Sequence, residues 1–177
     1  MNLGRCCLVL LVACATALVM GCEDVRPGPV CQTAALVSEF AMALDSAVRQ
    51  GFLVFDQLPA NLKDGDALNA YLTHFLVDKE FLDVGVLRDR RRLRRLNGDQ
   101  DGCCVDAWGR PLIIQIPALF PKGLTYSTSQ GSHRIAPLPN SIWTSSTPPA
   151  VQVWSLGPNG LDDRGKGDDI IGGHDIQ

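Results

Sequence analysis

Three histidines in 177 residues leave little material for imidazole chemistry, and they stand far apart at His74, His133 and His174. His74 falls in a helical pattern beside Phe75, His133 in a loop and His174 in the C-terminal tail. The neighbours Ser132 and His133 do not make a catalytic pair, because a base must reach its nucleophile from elsewhere in the fold. The chain also lacks a G-x-S-x-G elbow, an H-E-x-x-H pair and a glycine-rich phosphate loop between a strand and a helix. These absences argue against an enzyme, and no catalytic residue is assigned. Positive charge is short as well. Sixteen Lys and Arg stand against nineteen Asp and Glu, for a formal net charge of −3, which argues against a nucleic-acid partner. None of the seven cysteines is spaced as C-x-x-C, and adjacent Cys103 and Cys104 have no nearby histidine, so a thiolate metal site is not expected.

What is present begins with "MNLGRCCLVLLVACATALVMGC", which has one positive charge at Arg5, an apolar core from Cys6 to Ala17 and small residues before Cys22. That order reads as a secretory signal. The apolar run is near the lower limit of the roughly 20 residues a membrane span needs. The "VMGC" at its end resembles the bacterial lipoprotein signal, in which the cysteine after glycine is diacylated and becomes the new N-terminus. The resemblance implies residues 1–21 as signal, lipidation at Cys22 and a periplasmic-face envelope protein that neither spans the membrane nor floats free. "EDVRPGPV" then reads as a tether over residues 22–31, and 32–177 as one globular domain. Removing the first 21 of 177 residues leaves 156, enough for a core, and loses only Arg5 among the charges. The exported context predicts one disulfide and one leftover thiol, with Cys31 joined to Cys103 or Cys104.

Apolar residues Val37, Phe40, Leu44 and Val48 recur at helical steps, with Glu39, Asp45 and Arg49 turned to water. A second helix is expected in "NLKDGDALNAYLTHFLVD", capped by Asp64 or Asp66 and buried along Leu68, Tyr71, Leu72, Phe75 and Leu76. A third is expected to include "LRDRRRLRRL". Beyond Gly98 the texture changes to short apolar runs bounded by glycine and proline, so "PLIIQI", "LTYST" and "VQVWSL" read as strands. Residues 131–150, rich in Pro, Ser and Thr, read as a long surface loop. Helices first and strands afterwards give an α+β domain with an antiparallel sheet.

"DAWGRPLIIQI", Asp106 to Ile116, and "VQVWSLGPNGLDDRGKGDDI", Val151 to Ile170, together resemble the C-terminal half of the major pseudopilin of type II secretion systems. In that family a D-x-W-G-x-P turn opens the sheet, and a strand ending in S-x-G-x-D-G leads into a glycine-rich loop closed by aspartates and an isoleucine. The matching stretches cover about a fifth of the chain. They imply a pseudopilin-like fold, N-terminal helices on a small antiparallel sheet with a calcium-binding C-terminal loop. Carried over by position, the Leu156 carbonyl, Asn159, Asp168 and Asp169 become the calcium ligands. Asn159 stands where the family commonly has aspartate, and Asp162 or Asp163 is expected to compensate for the lost charge. The family's long N-terminal hydrophobic helix has no counterpart after Gly21, so a lipid anchor is expected in its place. The implied role is protein contacts near a secretion or pilus-like assembly.

The loop's composition points the same way on physical grounds. Asp162, Asp163, Asp168 and Asp169 lie within eight residues, relieved by Arg164 and Lys166, while Gly157, Gly160, Gly165, Gly167 and Gly172 permit tight turns. Folding it crowds like charges, and Ca2+, which accepts six to eight oxygens in irregular geometry, relieves the conflict. The spacing is not that of an EF-hand. Trp108 is expected to cap the core, with Asp106 and Gly109 forming the turn before Pro111. A second function is suggested by Arg88, Arg90, Arg91, Arg92, Arg94 and Arg95, six of the mature chain's 15 basic residues. On a helix they would fan outward as a basic face for an anionic surface or polymer in the envelope, or remain a solvated face paired with Asp83 and Asp89.

Overall fold

A computed structural model describes residues 28–60, 62, 64–83, 93–95, 102–128, 130–143 and 149–172. The signal, Cys22, Arg88, Arg90, Arg91, Arg92 and His174 lie outside the described residues. The described residues form an α+β arrangement of two α-helices and seven short strands, every pairing antiparallel.

Helix α1 spans Pro29–Arg49 and begins inside the stretch expected to be tether. Proline in its first turn is the reason: its fixed φ suits a helix start, and the N–H it lacks has no partner there anyway. Leu36, Val37, Phe40, Ala43, Leu44 and Ala47 form its buried face, close to the stripe read from the sequence, and Asp45 and Arg49 pair on the outside at 2.8 Å. Helix α2 spans Gly65–Asp78, with Asp64 as N-cap accepting the Ala67 N–H at 2.7 Å. Leu68, Leu72 and Leu76 are buried, whereas Tyr71 and Phe75 are half-buried and stack at 6.5 Å.

The strands are β1 Leu93–Arg95, β2 Gly102–Cys104, β3 Ile113–Gln115, β4 Leu124–Thr128, β5 Gly131–Ile135, β6 Gln152–Ser155 and β7 Ile170–Gly172. They form a β1–β2 hairpin, a three-stranded sheet in the order β3–β6–β7, and a β4–β5 hairpin. Two expectations are corrected here. Leu93–Arg95 is a strand rather than helix, because Leu93, Arg94 and Arg95 pair with Cys104, Cys103 and Gly102. Leucine and arginine favour a helix only weakly, and tertiary pairing overrides that preference. Gly131–Ile135 is also a strand rather than loop, since it returns along β4 with Tyr126 opposite His133. Its polar residues face water on an edge, which hides the usual apolar alternation.

Helix α1 packs on β6 and β7, and α2 on β2, β3 and β4. Between them lies one core that includes Phe40, Leu72, Ile114, Tyr126 and Trp154, all fully buried. Burying each such side chain stabilises the fold by about 1.5–3 kcal/mol. Side chains complete the hydrogen bonding where strands are missing. The Tyr126 hydroxyl accepts the Ile114 N–H at 2.9 Å and donates to the Ile114 carbonyl, closing the edge of β3. Burial raises the proton affinity of that hydroxyl strongly, so it stays a donor. Gln115 and Gln152, opposite each other across β3 and β6, hold the returning chain at the Ile135 carbonyl and the Leu138 N–H. Among the described residues no helix is long and apolar enough to cross a membrane.

Candidate functional site

The site is built from two segments far apart in sequence. The first is the turn between β2 and β3. Asp106 accepts the Trp108 and Arg110 N–H groups on Oδ1 at 2.9 and 3.0 Å, and its own N–H donates to the Arg110 carbonyl at 2.8 Å. Gly109 sits at φ 77°, the left-handed region the reversal needs. The turn is tied to α1 by the Ala107 N–H, which donates to the Thr33 hydroxyl at 3.1 Å. Trp108 does not cap the core as expected: it is half-buried, with the Arg110 guanidinium 5.9 Å from its ring centroid, while Trp154 fills the interior. The short turn leaves Trp108 at the rim.

The second segment is the acidic loop between β6 and β7. Ser155, at the end of β6, donates its hydroxyl to Asp106 Oδ2 at 2.7 Å and accepts the Gly157 N–H at 3.2 Å. Arg110 donates to the carbonyls of Gly157 and, at 2.9 Å, Pro158. Gly157 stands at φ 60°, and a Cβ there would lie 2.0 Å from the Asp168 carbonyl oxygen, so only glycine lets the two ends of the loop meet.

All six residues expected to bind calcium lie in this loop, and the loop's own donors hold it folded. The Leu156 carbonyl accepts the Gly160 N–H at 3.1 Å. Asn159 accepts the Leu161 N–H on Oδ1 at 2.6 Å, donates Nδ2 to Asp163 at 3.0 Å and donates its main-chain N–H to Asp168 at 2.8 Å. Asp162 accepts the Arg164 N–H at 3.2 Å, and Asp169 accepts the Gly165 N–H at 2.8 Å. The Arg164 side chain reaches away to the Pro137 carbonyl at 3.0 Å. Among the described residues no three His, Cys, Asp or Glu side chains are arranged to hold a metal, so the carboxylates rest on N–H donors in this geometry.

One atom departs from this pattern. Asp169 Oδ1 is buried and has no hydrogen-bond partner. Burial, then the charges of Asp162, Asp163 and Asp168, push the Asp169 carboxyl up to about 7 against the opposing Gly165 N–H. Burial also raises Asp162, opposed by the N–H and charge of Arg164 and reinforced by Asp163. Asp169 Oδ1 is thus a buried carboxylate oxygen of this loop that no donor reaches, while Oδ2 takes the Gly165 N–H. Sequence reasoning found the carboxylates but missed Arg110 and the bond from Asp106 to Ser155. The only local signal was the presence of arginine within the turn motif.

The remaining expected sites are dispersed. No bridge joins Cys31 to Cys103 or Cys104: all three are thiols, with Cys31 exposed in the first turn of α1 and the other two buried in β2 against α2. Arg94 and Arg95 belong to β1, so they do not fan from a helix. His74 and His133 are exposed on different elements. Compared with family models, curated proteins and solved structures, the chain has no match.

Proposed function

We propose that this is a membrane-anchored, calcium-stabilised, pseudopilin-like lipoprotein that acts through protein contacts in the cell envelope. The observation that carries the reading is Asp169, whose buried Oδ1 has no partner and whose ionisation is opposed by burial and three neighbouring carboxylates. Such a group either keeps its proton or meets a cation. The Leu156 carbonyl, Asn159, Asp168 and Asp169 would hold calcium, with Asp162 and Asp163 adding charge. When bound, calcium supplies the positive charge that lets Asp169 ionise at neutral pH.

Asp169 directly precedes β7, which pairs with β6 and lies against α1. Ordering the loop therefore steadies the last strand of the sheet. The two stretches that carry the pseudopilin resemblance are hydrogen-bonded to each other through Asp106 and Ser155, which supports reading them as one unit. Lipid at Cys22 would hold the domain at the periplasmic face, with components of a secretion or pilus-like assembly as partners.

The test is thermal unfolding of the full chain in detergent, with chelator and then with added calcium. A ligand bound only by the folded state stabilises it by about 2.7 kcal/mol at a hundred times its Kd. Chelation is expected to lower the melting temperature by several degrees and calcium to restore it. A melt indifferent to both removes calcium from the proposal.

A further inference from the structure

We infer that a water molecule, buried between the β3–β6 pair and the returning chain from Ile135 to Leu138, joins the Trp154 indole to the side-chain amide of Gln115. Both residues are fully buried, and each keeps one polar atom, Trp154 Nε1 and Gln115 Oε1, without a hydrogen-bond partner. The two atoms are opposite in kind. An indole N–H only donates, and an amide oxygen only accepts. Turning the amide over would not change this, because its other end donates Nε2 to the Ile135 carbonyl at 2.8 Å, and a carbonyl only accepts.

The strand register brings the two side chains together. Ile113 lies opposite Trp154 and Gln115 opposite Gln152, so alternation along the strands places Gln115, Gln152 and Trp154 on one face of the sheet. Gln115 and Trp154 are diagonal neighbours there, a separation of about 7–8 Å that long and aromatic side chains can span. The returning chain covers this face. Gln152 accepts the Leu138 N–H on Oε1 at 2.7 Å, and a Cβ on Gly165 would lie 2.8 Å from the Ile171 side chain and 3.2 Å from that of Leu138. Ile171 is the residue opposite Trp154 in β7, so Leu138 comes down on the Trp154 side of the sheet.

A donor and an acceptor that share a buried face without bonding each other are completed by a molecule that both accepts and donates. Water does this with the least volume, and buried waters characteristically satisfy such groups. The two side chains carry no charge to hold an ion, and full burial keeps out a larger solute. Trp143, further along the same returning chain, is 7% exposed and its indole N–H is unpartnered as well, so this side of the sheet is rich in polar groups that the protein leaves open. The inference is independent of any cation in the acidic loop.

The experiment is NMR of the full chain in detergent, with 15N at the indoles of its three tryptophans and the Trp154 signal assigned by elimination with Trp108→Phe and Trp143→Phe. Transfer from water to the Trp154 indole proton is read in NOESY and ROESY. A water held while the protein tumbles gives cross peaks of opposite sign in the two spectra, whereas hydrogen exchange with bulk gives the same sign. Opposite signs are expected at Trp154. Gln115→Met, of similar length, takes away the acceptor and should abolish the cross peak, with far-UV circular dichroism checking the fold. An absent or exchange-type peak in wild type overturns the inference, and so does an undiminished peak in folded Gln115→Met. If that variant does not fold, wild type labelled at the glutamine amides decides instead: the Gln115 Nε2 protons should show the same contact with water, and its absence removes Gln115 from the site.

Discussion

The rings of Phe52 and Phe81 meet edge to face, with centroids 5.6 Å apart and planes at 68°, and each occupies the same place relative to its own helix. After α1 the Phe52 N–H returns to the Ala47 carbonyl and the Gly51 N–H to Val48; after α2 the Phe81 N–H returns to Leu76 and the Glu80 N–H to Val77. Both helices therefore end in a Schellman motif, and the residue that follows each left-handed position packs against its counterpart. The left-handed residue is Gly51 at φ 74° in one case and Glu80 at φ 59° in the other. Replacing Glu80 by Gly relieves a Cβ penalty and should stabilise the protein by about 0.5–1 kcal/mol, while Gly51→Ala should cost about 1 kcal/mol. Urea unfolding midpoints check both signs, and a destabilised Glu80→Gly would refute this account of the cap.

Asn69 is fully buried on α2 and uses its whole hydrogen-bonding capacity. Nδ2 donates to the carbonyls of Cys104 and Leu112 at 3.0 and 2.8 Å, and Oδ1 accepts the Cys104 N–H at 2.8 Å and the Thr73 hydroxyl at 3.0 Å. One side chain thereby fastens the helix to β2 and to the start of β3. Asn69→Leu has similar volume but takes this partner from the Cys104 N–H and the Leu112 carbonyl, and should destabilise by about 3 kcal/mol. A loss below about 1 kcal/mol by chemical denaturation would mean that the amide is dispensable.

Gly65, in the first turn of α2, has no room for a side chain: a Cβ would lie 2.0 Å from the Tyr126 ring. Tyr126 cannot retreat, because its hydroxyl closes the β3 edge at Ile114. Gly65→Ala is therefore expected to cost about 1–3 kcal/mol, although alanine is the better helix former. Tyr126→Phe removes the hydroxyl and strands the Ile114 groups, for about 1–3 kcal/mol. Thermal melts of the two variants should both shift downward; an unchanged Gly65→Ala would show that the ring yields.

The raised carboxyl of Asp169 gives stability a definite dependence on pH. Its folded value is about 7, above the usual carboxylate value, so between roughly pH 4 and 7 the folded state holds more proton than the unfolded one. Stability in chelator should consequently fall as pH rises through that window. Asp169→Asn should flatten the profile, and it should also remove the response to calcium. If the wild-type melting temperature in chelator instead rises from pH 5 to 7 and the variant behaves identically, Asp169 does not govern the loop.

Local sequence was enough for whatever depends on near neighbours. The stripe Val37, Phe40 and Leu44, the N-cap Asp64 and the apolar runs of β3, β4 and β6 are all visible because burial on one face leaves a short period in the chain. Leu93–Arg95 and Gly131–Ile135 escaped that reading, since their strand character comes from the partners opposite them rather than from their own side chains. The site divides along the same line. Clustered aspartates and glycines between Gly157 and Gly172 announce a loop with a charge problem, but nothing local links it to Asp106 or Arg110. Those bonds join residues 49 and 47 positions apart, and the Asn69 staple spans 35. Sequence therefore determined the two long helices, most strands and the crowding of carboxylates in the acidic loop. Tertiary structure alone decided which buried groups hold that loop and that Trp108 lies at the rim, because hydrogen bonds and packing act over ångströms in space whatever the separation along the chain.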